Sequence, residues 1–324
     1  MNVRRLIPAT AAAGAVALGL MAVSACSTSN AADGSSGGKL KVVASFYPMQ
    51  YLAEEIGGDR VSVSTLTKPG VEPHDLELGP RQTAELNEAG YILYLKGIQP
   101  AVDKAIAQSE AKNKVDAATL TKLEHHGTEG GHSHEGEAAG HDEHGHEGEA
   151  GADPHIWLDP VKYAEVAKGV GKSLEKADPD HAADYRKNTD ALVTRLGGLN
   201  TTYEQGLKST ATKTFITTHA AFGYLAERYG LDQEAIAGVD PESEPSPARI
   251  KDLQAIAKKD KVSTVFFETL ASDKTARTLA EDTGLKTDVL DPLEGITDKS
   301  KGADYIEVMQ SNLAALQKAL GGAK

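Results

Sequence analysis

The chain has very little sulfur: Cys26 is its only cysteine among 324 residues. A single thiol excludes an internal disulfide, so the fold must be held by packing and hydrogen bonds alone. Long apolar runs are equally scarce. Beyond Leu6 to Val23 no stretch is long and apolar enough to span a bilayer. Basic residues are outnumbered, 34 Lys and Arg against 47 Asp and Glu, for a formal charge of −13. That balance disfavours nucleic acid and anionic lipid as partners and favours cations. No H-E-x-x-H motif is present, which removes the simplest sequence argument for a metal hydrolase.

The N-terminal stretch MNVRRLIPATAAAGAVALGLMAVSAC has a basic start at Arg4 and Arg5 and an apolar segment behind it. It has the layout of a secretory signal over residues 1–25 and is excluded from the fold. Val23-Ser24-Ala25-Cys26 resembles the lipobox of bacterial lipoproteins, which implies lipidation at Cys26 and a protein anchored to a membrane surface. The bland alternative is a small residue near an ordinary cleavage site. Residues 26–39 are small, polar and rich in Gly and Ser, as a flexible tether would be.

From residue 40 onward, apolar runs of strand length alternate with helical periodicity. KLKVVASFYP, VSVSTLT (61–67) and YILYLK (91–96) read as strands, with a helix opened by Pro80 and ended by Gly90 between the last two. The pattern returns in KTFITTH (213–219), VSTVFFE (262–268) and KTDVLD (286–291), with helices after each and a last helix near 303–320. This predicts an α/β fold of two similar parallel-sheet lobes, residues 40–160 and 209–324. The connector, 161–208, includes a long helix over about 181–207. Its Tyr185, Leu192, Leu196, Leu199, Tyr203 and Leu207 keep helical spacing and should form one packed face.

Residues 124–153 interrupt the first lobe with EHHGTEGGHSHEGEAAGHDEHGHEGEAGAD, which has no apolar side chain larger than alanine. Such a segment cannot offset its ordering entropy by burial and should be mobile. Its seven histidines, His125, His126, His132, His134, His141, His144 and His146, are candidates for weak, exchangeable metal binding. The bland alternative is a solvated low-complexity loop. Four histidines lie outside it. His181, at the start of the connector helix, reads as a surface residue. His74 and His219 follow strands in different lobes, where ligand sites form in parallel α/β folds, and His155 closes the tract. Asp291 also ends a strand. Three imidazoles and a carboxylate would suit a four-coordinate divalent ion, with nitrogen favouring zinc over manganese. Spacing alone does not show that they converge, and each histidine taken singly could be a satisfied strand-end residue.

GVEPHDLELGP, DPHIWLDP, ITTHAAFGYLAERYGL, DPESEPSPARI, VFFE and VLDPLEG occur in that order. Together they resemble the zinc-binding solute-binding proteins of bacterial ABC importers, the ZnuA/AdcA type, from about residue 40 to the end. The resemblance implies metal ligands at His74, His155, His219 and Asp291, with Glu72 or a water as alternatives to Asp291. It implies roles beside the site for Glu72 and Glu268, and a structural one for Glu244. It also implies a monomeric, non-enzymatic receptor outside the cytoplasm that captures Zn2+ between its lobes and passes it to an ABC permease. Two other functions stay open: a manganese or iron receptor of the same class, and a surface zinc store or adhesin in which the tract is the working part.

Overall fold

The computed structural model describes residues 38–126 and 152–322. Cys26, the signal, most of the tether and five tract histidines (His132, His134, His141, His144, His146) lie outside the described residues.

The first half runs β1 (Leu40–Ala44), α1 (Tyr47–Gly57), β2 (Val61–Thr65), α2 (Pro80–Glu88), β3 (Tyr91–Tyr94), α3 (Pro100–Gln108) and β4 (Lys114–Asp116). Its strands form one parallel sheet in the order β2-β1-β3-β4. The connector consists of α4 (Pro160–Ala177) and α5 (Ala182–Leu207). The second half runs β5 (Thr214–Thr217), α6 (Gly223–Tyr229), β6 (Asp232–Ala235), α7 (Pro247–Lys259), β7 (Thr264–Phe267), α8 (Lys274–Thr283), β8 (Lys286–Val289) and α9 (Tyr305–Leu320). Its sheet, β6-β5-β7-β8, is also parallel and repeats the first order. Two similar parallel-sheet lobes joined by a long helix are therefore the architecture of this chain.

Local chemistry explains most element ends. Asp159 caps α4 by accepting from Val161 N, and Ser246 caps α7 by accepting from Arg249 N. Proline opens α2, α3, α4 and α7, where a missing N–H costs nothing. Gly230, at φ 63°, closes α6 in the left-handed region. Four elements differ from the sequence expectation, among them α3, where no helix was expected. β4 and β6 are short edge strands, half exposed and built from KVD and DQEA, so they carry no apolar run. The helix expected directly after His219 begins only at Gly223, which leaves residues 219–222 as a loop.

α5 buries the face its sequence spacing marks: Tyr185, Leu192, Leu196, Leu199, Tyr203 and Leu207, with Thr189 in the same stripe. Each leucine so buried contributes about 1.5–3 kcal/mol. The stripe belongs to a single cluster that also holds Val42 and Leu93 of the first half and Phe215 and Phe266 of the second. Two polar tethers reinforce it: Tyr203 donates to Met309 O (2.6 Å) and Arg195 to Glu55 (2.6 Å). At Gly171 a Cβ would lie 2.2 Å from Thr189 Oγ1, so glycine is what lets α4 approach α5.

Candidate metal centre

Strand ends deliver the site. β2 feeds an irregular, proline-containing loop that carries His74; β5 ends just before His219; β8 ends five residues before Glu294. His155 begins the short turn Ile156–Leu158 that leads into α4. Trp157 holds this turn against the second half, donating from Nε1 to Pro292 O (2.7 Å). Tyr305 Oη in turn donates to Trp157 O (2.5 Å).

The Nε2 atoms of His74, His155 and His219 lie 3.4, 3.3 and 3.2 Å from one oxygen, Glu294 Oε1. His155, His219 and Glu294 are buried and His74 is nearly so. The four side chains form a group that can hold a metal ion. His155 Nε2 lacks hydrogen-bond geometry to any partner among the described residues, and so does Glu294 Oε2. Buried polar atoms left in this state are costly unless a cation supplies the missing interaction.

The far sides of two imidazoles are fixed. His155 Nδ1 lies 2.8 Å from Asp153 Oδ1, which also accepts from the His155 amide. His219 Nδ1 lies 2.8 Å from Glu268 Oε1, which also accepts from Thr218 Oγ1. A carboxylate can only accept, so each Nδ1 carries a proton, and in the neutral ring the Nε2 lone pair points inward. Burial alone would lower the pKa of both histidines, but the carboxylates around them raise it. Burial opposes ionisation of Glu294, yet the facing histidines, His219 foremost, hold its carboxyl well below the usual range. Burial pushes the nearby Glu72 up to about 7.

The carboxylate that joins the three histidines is Glu294, where the sequence pointed to Asp291. Asp291 Oδ1 accepts from Leu293 N (2.9 Å) and Oδ2 from Ser300 Oγ (2.8 Å) and Thr269 Oγ1 (3.4 Å). Both oxygens are thus committed to the loop, and Leu293, between Asp291 and Glu294, takes a left-handed φ of 58°. Asp291 is the first carboxylate beyond β8, so a strand-end rule selects it; the turn that brings in Glu294 has no sequence mark except the Asp-Pro ahead of it. Asp153 was also missed, although its place two residues before His155 suits a local side-chain-to-backbone bond. Glu72 sits beside His74, with Oε2 accepting from Asp75 N (3.3 Å), but is not one of the four. Glu244 is exposed, and His181 bonds Asp178 away from the site. His125 and His126 are described; His126 is bound into a second group of side chains at the tract's stem.

The sequence profile of the zinc-uptake complex component A family, periplasmic (ZnuA), matches residues 42–319. The chain belongs to this family. Among relatives of this ZnuA family, the high-affinity zinc uptake system protein ZnuA of Bacillus subtilis is 37% identical over 314 residues, covering 94% of this chain and 96% of its own. The zinc-binding lipoprotein AdcA of Streptococcus pneumoniae is 38% identical over 298 residues, 91% of this chain. The match spans only 58% of that longer relative. The solved Zn(II)-bound ZnuA-like domain of S. pneumoniae AdcA superposes with a TM-score of 0.70 at 33% identity, covering 87% of this chain and 99% of that one. The laminin-binding protein Lmb of Streptococcus agalactiae, described as an adhesin with metal-transporting activity, gives 0.75 at 31%, covering 87% and 100%.

Proposed function

We propose that the chain is a zinc receptor that works outside the cytoplasm, held to the membrane through Cys26, and that it passes its cargo to an ABC permease. Zn2+ is bound by Nε2 of His74, His155 and His219 and by Glu294. The observation that carries this reading is the convergence of three inward-facing Nε2 atoms on one buried, ionised carboxylate. Three imidazoles and one carboxylate make a four-coordinate set suited to zinc, whereas manganese prefers more oxygen. Four protein donors leave no open position for a reactive water, which supports a carrier over a hydrolase. The zinc named for the B. subtilis and S. pneumoniae relatives supports the same cargo. Among the described residues no helix is long and apolar enough to cross a membrane.

The test is metal content by mass spectrometry after chelator stripping and exposure to one equivalent each of zinc and manganese. One zinc per chain is expected, and a His219→Ala chain should lose zinc from the cleft to weaker sites that a mild chelator empties. Preferential retention of manganese, or retention unaffected by the substitution, contradicts the proposal.

A further inference from the structure

His155 and His219 are each held by a carboxylate behind the ring, but Glu294 has no such support. Among the described residues its Oε1 meets only the three histidines, and its Oε2 has no hydrogen-bond partner. Once those histidines turn to an ion, nothing but the backbone beneath Glu294 fixes where its carboxylate stands.

Two side chains from other elements hold that backbone. At the end of β8, Leu290 N donates to Phe267 O of β7 (3.1 Å). One residue on, Asn312 of α9 takes both backbone groups of Asp291. Its Oδ1 accepts from Asp291 N (2.9 Å) and its Nδ2 donates to Asp291 O (2.7 Å). The amide thereby stands in for a neighbouring strand. At the next residue, Trp157 Nε1 donates to Pro292 O (2.7 Å). The backbone so fixed leads directly into the left-handed turn at Leu293 and then to Glu294.

Packing alone would select neither side chain. Asn312 is 2% exposed, on the face of α9 that also buries Val308, Leu313 and Leu316. Asparagine is a poor helix former and a buried amide is costly unless it is bonded, so leucine would suit the helix better. Trp157 is the only tryptophan of the chain and is fully buried, edge-on to Phe46 with ring centroids 5.1 Å apart. Phenylalanine could make that contact, but only the indole brings an N–H to it.

We infer that Asn312 and Trp157 are positioning residues for Glu294, clamping Asp291 and Pro292 from two different elements so that the carboxylate stands ready for the ion. Trp157 lies two residues after His155, so its bond also ties the turn that carries His155 to the loop that carries Glu294. Two donors from distant parts of the chain are thereby held in one frame, which preorganises the site. The inference rests on the receptor reading, with zinc as the ion.

The test is a double-mutant cycle on zinc affinity in the mature chain, labelled with 15N at histidine and followed by NMR against a competing chelator. The His219 resonance, identified by its loss in His219→Asn, reports the cleft alone. Asn312→Leu, and Trp157→Phe, which keeps an aromatic ring, should each weaken cleft zinc by at least about tenfold. In a Glu294→Gln chain the same substitutions should change the affinity by less than about twofold, because the carboxylate they place is gone. A general loosening of the fold would weaken zinc in both backgrounds alike. A loss of equal size in the two backgrounds, or no loss in the Glu294 chain, therefore overturns the proposal for that residue. Asn312→Ser replaces Asn312→Leu in the cycle if the larger change prevents folding. A His219 resonance that the first equivalent of zinc leaves in place in the unsubstituted chain would instead refute the receptor reading.

Discussion

At the scale of single residues, the site depends on charge placement. Replacing Glu294 by Gln removes the anionic donor, whereas replacing Asp291 by Asn keeps the loop's acceptor Oδ1. Zinc competition with a fluorescent chelator should show a far larger loss for Glu294→Gln than for Asp291→Asn; equal losses would restore Asp291 as a donor. Glu268→Gln should weaken zinc by about 10–100-fold by loosening the His219 ring. The pH dependence follows from the same contacts. Carboxylates raise the pKa of His155 and His219 above the ordinary value of about 6.5. Those imidazoles must lose protons to bind metal. Zinc affinity should therefore fall steadily as pH drops from above 7, with protons released on binding, which calorimetry in buffers of different ionisation enthalpy measures. For the metal-free fold the sign is opposite. A raised histidine stabilises below its unfolded pKa, and that contribution is lost as pH rises through the folded value. The gain in melting temperature on adding zinc should accordingly grow with pH.

At the scale of elements, α4 and α5 make the most specific prediction. Gly171→Ala drives a methyl into Thr189 and should cost about 1–3 kcal/mol. Thr189→Ala in the same chain should recover much of that, read as urea midpoints in a double-mutant cycle. Between β8 and α9, Asp288 bonds Lys318 (2.7 Å) and Lys301 (3.0 Å). Partial burial pushes its pKa up, but the two lysines prevail and bring it to about 2. Its contribution is therefore present above the unfolded value near 4 and lost as pH falls toward 2. The destabilisation caused by Asp288→Asn should shrink over that window; a constant difference would assign it to packing. Elements with a buried, periodic face were the legible ones. The α5 stripe could be written down from its leucines and tyrosines alone, while β4 and β6 could not, because KVD and DQEA carry no apolar run. The three histidines of the candidate site could be singled out as strand-end and turn residues, but their convergence was implied only by the family resemblance, because spacing does not carry it. Glu294 was not, because it depends on a left-handed turn at Leu293 and on the hydrogen bonds of Asp291, which are tertiary facts.

At the scale of the whole described fold, the same strand order occurs twice and one apolar cluster runs through both halves and the connector. A continuous core of this kind resists wide opening, so release of the ion should come from movement of the ligand loops. Small-angle scattering of residues 39–324 with and without zinc should give superimposable curves, and a clear expansion on metal removal would count against a stiff connector. The most direct test of the central claim is X-ray absorption at the zinc edge on the chain loaded with one equivalent. Three imidazole nitrogens at about 2.0–2.1 Å and one carboxylate oxygen are expected, with the oxygen contribution altered in Glu294→Gln. Fewer than three imidazoles, or a spectrum that Glu294→Gln leaves unchanged, would contradict the account.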